Sequence, residues 1–254
     1  MFRIKLTVVA LVAFSASALA QTTGVGEPAP VRYNCGANVD TSYVLGINAK
    51  VDNGPVAQGW CRATAATGLY GELWVSQSLK RPGGWETPDV NEEPNRFGNE
   101  VDITFGVDRK ISNRWSYNLN IAHFDIVNPR LFDFRGDIIA LAGTLRYHAT
   151  EHTTIYVNVE DYEGYGKGRF QGGQRLSLAL ASSFGPVTYD VTLRRNNHIG
   201  GNEGQLVKLT FGSVRPIAKI AGGELRPEVM IYKPLGRYAD VFDTQVVGRL
   251  AITW

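Results

Sequence analysis

The motif with the most reactive side chains is His148-Ala149-Thr150-Glu151-His152. This H-x-x-E-H spacing serves zinc hydrolysis when one helical turn brings both imidazoles to one metal. Here it falls between two β-branched, alternating segments, so it reads as a turn and predicts no metal site. Acyl transfer needs a nucleophile, a base and an orienting group within reach. His123, His198, Asp125 and Ser76 are the candidates, and they lie on separate segments with no convergence in the sequence. Gly164-Tyr165-Gly166-Lys167-Gly168 lacks the GK[ST] ending of a phosphate loop, and Arg135-Gly136-Asp137 is an adhesion-like tripeptide. No cofactor is implied. The remaining charged residues include Glu72, Glu100 and Asp102 and, later in the chain, Arg194, Lys208, Arg226 and Arg249. Their chemistry would be electrostatic, because charged walls facing each other orient and filter polar solutes.

The elements that position these charges have a period of two. Residues 101–107 set Val101, Ile103, Phe105 and Val107 against Asp102, Thr104 and Gly106. Residues 176–184 set Leu176, Leu178, Leu180 and Phe184 against Ser177, Ala179 and Ala181. The last segment sets Val246, Gly248, Leu250, Ile252 and Trp254 against Val247, Arg249, Ala251 and Thr253. Similar alternation at 43–51, 56–65, 69–79, 115–121, 137–148, 155–159, 187–195, 205–213 and 224–233 brings the count to about 12 strands. An all-β, antiparallel transmembrane β-barrel needs an even number and an apolar outer face free of charge at mid-depth. Long connections at 80–97, 127–136, 164–173, 196–204 and 234–243 alternate with mostly short ones. This matches long extracellular loops and short periplasmic turns. Tyr43, Trp115, Tyr117, Tyr147, Phe184, Tyr189, Phe211 and Trp254 are expected at one rim as an aromatic girdle.

Residues 1–20 read as a cleaved signal peptide: Arg3 and Lys5, an apolar run, then Ser17-Ala18-Leu19-Ala20. Removing them takes two of the 26 basic residues and leaves 24 against 24 acidic ones. A neutral remainder gives no reason to expect nucleic acid as a partner. Residues 21–39 are expected as an N-terminal segment, placed inside the lumen, and 40–254 as the barrel. Lipid of the Gram-negative outer membrane is then the expected surround, and the Trp254 strand is the expected contact for the barrel-assembly machinery.

Asp52-Asn53-Gly54-Pro55 suggests a tight hairpin that sets Gly46 opposite Cys61 and turns Cys61 inward. Two readings are open for Cys35 and Cys61: a disulfide tying the N-terminal segment into the lumen, or two free thiols. The same register turns Arg62 outward. Inside, Glu72, Glu100 and Asp102 are expected to face a basic wall of Arg194, Lys208, Arg226, Arg249 and Lys50.

The aromatic terminal strand resembles that of bacterial outer-membrane β-barrels. Tyr43-Val44-Leu45-Gly46 and Leu69-Tyr70-Gly71 resemble the TorF-type porins. These resemblances imply a porin-like channel for passive diffusion of small hydrophilic solutes through a narrow, mixed-charge lumen. The alternatives are a non-conducting barrel for adhesion or assembly, and an outer-membrane hydrolase.

Overall fold

The computed structural model of the chain describes residues 30–44, 50–52, 54–79, 100–126, 137–165, 171–199, 202–240 and 242–254. Twelve long strands form the wall. They are β1 (Arg32–Asp40), β4 (Val56–Thr64), β5 (Leu69–Ser78), β6 (Glu100–Lys110), β7 (Trp115–Ile126), β8 (Asp137–His148), β9 (Thr153–Tyr165), β10 (Gly173–Phe184), β11 (Val187–Ile199), β12 (Asn202–Ser213), β14 (Gly223–Leu235) and β15 (Gln245–Thr253). Three short strands stand apart: β2 (Tyr43–Val44) pairs with β3 (Lys50–Asp52), and β13 (Ala218–Ile220) pairs with β14. Every wall contact is antiparallel between neighbours. The β1–β15 and β12–β14 pairings complete the ring, so the wall has no free edge. Closure satisfies every strand's backbone without water, which hydrocarbon surroundings demand.

Alternation then assigns the two faces. Ile103, Phe105, Leu119, Ile121, Leu141, Val157, Leu176, Leu178, Val191, Val229 and Leu250 are exposed on the outside of the ring. Their sequence neighbours turn inward, among them Asn118, Ser177 and Thr192, all buried. The Trp115 and Tyr147 rings meet at a tilt with centres 4.9 Å apart near the short-turn end, and Phe184, Phe211 and Trp254 are exposed near the same rim. Short turns are built for tightness there. Gly68 adopts φ +83°, and a Cβ on it would stand 2.4 Å from the Asp108 carbonyl oxygen.

The first wall strand differs from the expectation. Residues 32–40, not 43–51, pair with β4, in a register that places Asp40 on Val56, Asn38 on Gln58 and Cys35 on Cys61. Residues 32–38 are therefore wall and not a segment tucked into the lumen; residues 21–29 lie outside the described residues. The count of twelve stands because one strand replaces another. The new register also inverts β4: Arg62 turns inward and Cys61 outward. β11 continues to Ile199 and β12 starts at Asn202, so His198 belongs to a strand and not to a long loop. The expected loop at 80–97 lies outside the described residues.

Cys35 and Cys61 form a disulfide between adjacent strands on the outer face. It closes a 26-residue sequence separation, so reducing it is expected to cost about 3 kcal/mol by the chain-entropy account. Urea unfolding with and without reductant measures this. A non-reduced digest should yield the Cys35–Cys61 linked peptide.

Candidate functional site: the lumen

The interior is built from the inward half of each strand, and the first element inside it is Tyr43-Val44. The Thr41 amide donates to the Gly248 carbonyl (2.9 Å), and the Gly248 amide donates to the Thr41 hydroxyl (3.0 Å). Beyond this latch the chain leaves the wall. The Tyr43 hydroxyl donates to Glu100 on β6 at 2.5 Å, and its ring lies 6.1 Å from Trp74. Val44 is buried with Leu206, Met230, Tyr232 and Val247 of β12, β14 and β15. Strands β6 and β12 are six places apart in a ring of twelve, so two consecutive residues touch opposite sides of the barrel. Tyr43 is thus inside and not on the outer aromatic rim, which corrects the expectation from alternation. Leu206, Met230 and Val247 hold apolar side chains at inward positions, and burying Val44 against them is the gain that draws this segment in.

Charged side chains line the rest, mostly in cross-strand pairs. Arg249 makes a two-pronged contact with Asp40 (2.8 and 2.8 Å) and reaches Glu228 at 3.7 Å. Asn38 donates to Asp40 at 2.7 Å and to Gln58 at 2.9 Å. Arg62 donates to Glu72 at 2.6 Å and lies 4.1 Å over the Tyr70 ring. Arg146 meets Asp108 at 3.2 Å. Arg175 meets Glu160 at 3.2 Å and donates to the Tyr162 hydroxyl at 2.8 Å. Arg226 pairs with Glu224. Lys208 places its ammonium 5.6 Å from the Tyr232 ring centre.

All seven predicted lumen charges have inward parity. The separation of signs is weaker than expected, since Arg62 stands beside Glu72 on the acidic side and Asp40 and Glu228 stand beside Arg249 on the basic side. Asp102 lies opposite Trp74 and Phe124 in the ladder. The Lys50 side chain lies outside what is described.

Two cavities open from this interior. One of about 150 Å³ is enclosed by Asp40, Tyr43, Val44, Tyr232 and Arg249, among others. The larger, about 270 Å³, lies along β8–β11 and is lined by Arg146, Arg175, Arg194, Glu160, Tyr156 and Asn158 with three hydroxyl side chains.

The short helical turn Gly236–Asp240 follows β14 and packs its Tyr238 against Gly204 at the start of β12. Tyr238 is buried there, accepts a hydrogen bond from Asn196 at 3.2 Å and meets Phe242 edge-on at 5.5 Å. Burial pushes its phenol above the ordinary pKa. A Cβ on Gly204 would come within 2.0 Å of the Tyr238 ring. Gly204→Ala is therefore expected to displace Tyr238, costing roughly 1–3 kcal/mol of local packing. Faster hydrogen exchange over residues 236–240 would show it.

The residues that looked catalytic are dispersed. His148 hydrogen-bonds Ser116 (2.9 Å) and Thr154 (3.2 Å) at the end of a strand, and His152 pairs with Glu151 on the exposed turn. His123 has outward parity on β7, whereas His198 is exposed at the irregular end of β11, where its φ is 60°, with three strands between them.

No family model and no curated protein matches the chain. Among solved structures, it is similar to the KdgM porin in complex with disordered oligogalacturonate, at 9% identity and a TM-score of 0.55. That match covers 88% of this chain and 98% of the other. It is similar to the KdgM porin at 9% identity and 0.56, covering 87% and 98%. It is similar to the NanC porin at 8% identity and 0.52, covering 88% and 99%. At these identities the shared property is the architecture, and the conclusion is that this chain has the closed antiparallel β-barrel fold of outer-membrane porins.

Proposed function

We propose that the protein is an outer-membrane channel through which small hydrophilic solutes diffuse passively. The observation that carries this reading is the contrast between its two faces: an uncharged apolar band outside, and inside it charged and hydroxyl side chains around a cavity of about 270 Å³. A charge in the outer band would cost roughly 2–4 kcal/mol at mid-bilayer, whereas within the ring most charges find a partner, as Arg249 does in Asp40. The likeness to porins of nearly the same length supports a conducting role. Lumen selectivity is assigned to Arg194, Lys208, Arg226 and Arg249 facing Glu72, Glu100 and Asp102.

Reconstituted into planar bilayers, the purified protein is expected to give stepwise currents that shrink as neutral polymers of increasing size enter the lumen. Conductance indistinguishable from background would overturn the reading. It would then favour the second one, a non-conducting barrel, for which the Tyr43–Val44 bridge and the many internal ion pairs are the supporting features.

A further inference from the structure

In the half of the wall nearest the short turns, the outward positions of the described strands carry one charged side chain, Arg109 on β6. It stands opposite Tyr117, which in turn stands opposite Leu145, so it belongs to the face that carries Phe105 and Leu119. The Arg109 stem crosses Gly68, where a Cβ would come within 2.9 Å of its Cγ, and its Nε donates to the Thr67 carbonyl at 2.6 Å. That bond uses one of the guanidinium's N–H groups and fixes the plane of the rest. Arg114, in the same β6–β7 turn, brings a second guanidinium within 3.5 Å of the Tyr147 hydroxyl on β8. The outward residues Trp115 and Tyr117 of β7 lie between the two. Both arginines are exposed, and neither has a carboxylate partner among the described residues. Asp108 turns inward to Arg146 (3.2 Å), and Glu151 of the next turn pairs with His152 (3.2 Å).

Arginine and aromatic rings at one level mark the layer where hydrocarbon gives way to headgroups. Aromatic rings alone would suit any lipid, and exposed cations alone any anion. Here both occupy one sector, next to the exposed apolar side chains of Phe105, Leu119 and Leu145. The partner that matches all three features has a phosphate at its polar end and hydrocarbon beyond it. We propose that the β6–β8 sector is a docking surface for anionic phospholipid of the leaflet at the short-turn end, with Arg109 and Arg114 each taking one headgroup phosphate. The planar guanidinium meets a phosphate through parallel N–H bonds, the Trp115, Tyr117 and Tyr147 rings flank the headgroup, and the acyl chains lie along the apolar wall. A zwitterionic phospholipid carries the same phosphate together with a cation that opposes the arginine, and so is held less. Such docking needs the barrel to be embedded in lipid and does not depend on whether current passes, so it goes beyond the channel reading.

The test is native mass spectrometry of the full chain released from detergent micelles doped with phosphatidylglycerol or with phosphatidylcholine of the same chains. The parent is expected to retain two phosphatidylglycerol molecules and to hold them at least about fivefold better than phosphatidylcholine, as attraction of one basic group to anionic lipid implies. Arg109→Gln and Arg114→Gln should each lose one, and the double variant both. Lys219→Gln removes the same charge at the short-turn end from an inward-parity position opposite Glu224, and should retain both. Each variant must keep the heat-shifted gel mobility of a folded barrel. Should Arg109→Gln fail to fold, because the Thr67 carbonyl loses its donor, Arg114→Gln carries the test. Equal retention of the two lipids, an unchanged count in the folded arginine variants, an equal loss in Lys219→Gln, or displacement by an equal concentration of inorganic phosphate overturns the docking surface. Bilayer recordings separate this outcome from the channel reading: retention without current supports the surface and refutes the channel, whereas current without retention refutes the surface alone.

Discussion

Replacing Arg249 with alanine is expected to destabilise the barrel by about 3–5 kcal/mol, as breaking a buried ion pair from one side does. The Asp40 side chain is only 3% exposed, and Arg249 supplies its two-pronged contact. Without it the carboxylate keeps one donor within the wall, Asn38. The location raises the cost. Strands β1 and β15 share five register pairs, fewer than any other neighbours in the ring, and among the described residues Arg249–Asp40 is the ion pair that crosses this seam. Urea unfolding followed by tryptophan fluorescence measures the loss. Adding Asp40→Asn to Arg249→Ala removes the orphaned charge and should recover more than half of it. A double variant as unstable as the single would show that the pair is not the cause. Arg249→Glu tests selectivity in the same place: the reversal potential in a salt gradient should move toward cation preference, and an unmoved potential would exclude Arg249 from the ion path.

Shortening both Tyr43 and Val44 to alanine is expected to raise unitary conductance roughly twofold or more, because pore-lining bulk limits flow in a narrow barrel. Tyr43 and Val44 occupy the lumen between β6 and β12 and are held by the Glu100 hydrogen bond and the Leu206–Met230–Val247 patch. The wall's own ladder does not involve them, so the unfolding midpoint should fall far less than with Arg249→Ala. Conductance equal to the parent would place the pair away from the ion path. Tyr43→Phe isolates the hydrogen bond and is expected to give an intermediate current with more frequent switching.

Much of the barrel was legible because strand parity is unforgiving: once Asp102, Arg194 or Arg249 is assigned to an alternating strand, its side follows from its neighbours. The failures share one physical origin. Period two says that two faces differ, not which one meets lipid. Tyr43 and Val44 present apolar groups as a wall strand would, and spend them on apolar positions inside. Arg32–Asp40 is wall, yet its outward residues include Cys35 and Ala37, too small to announce a lipid face. The Asn53-Gly54 hairpin signal then tied β4 to the wrong partner, which inverted Cys61 and Arg62. The usable clue was Leu206, Met230 and Val247, apolar at inward positions where a water-filled interior would carry polar groups. The ion pairs of Arg62 and Asp40 were out of reach, because they depend on a register between strands and not on either strand alone.

The two residues that join opposite strands also have a mechanical meaning. A ring of tilted ribbons is soft toward flattening, and a beam across its diameter resists that mode most directly. Stiffened in this way, the cylinder should keep its bore when moved between thin and thick bilayers, whereas the version lacking the beam should respond to lipid chain length.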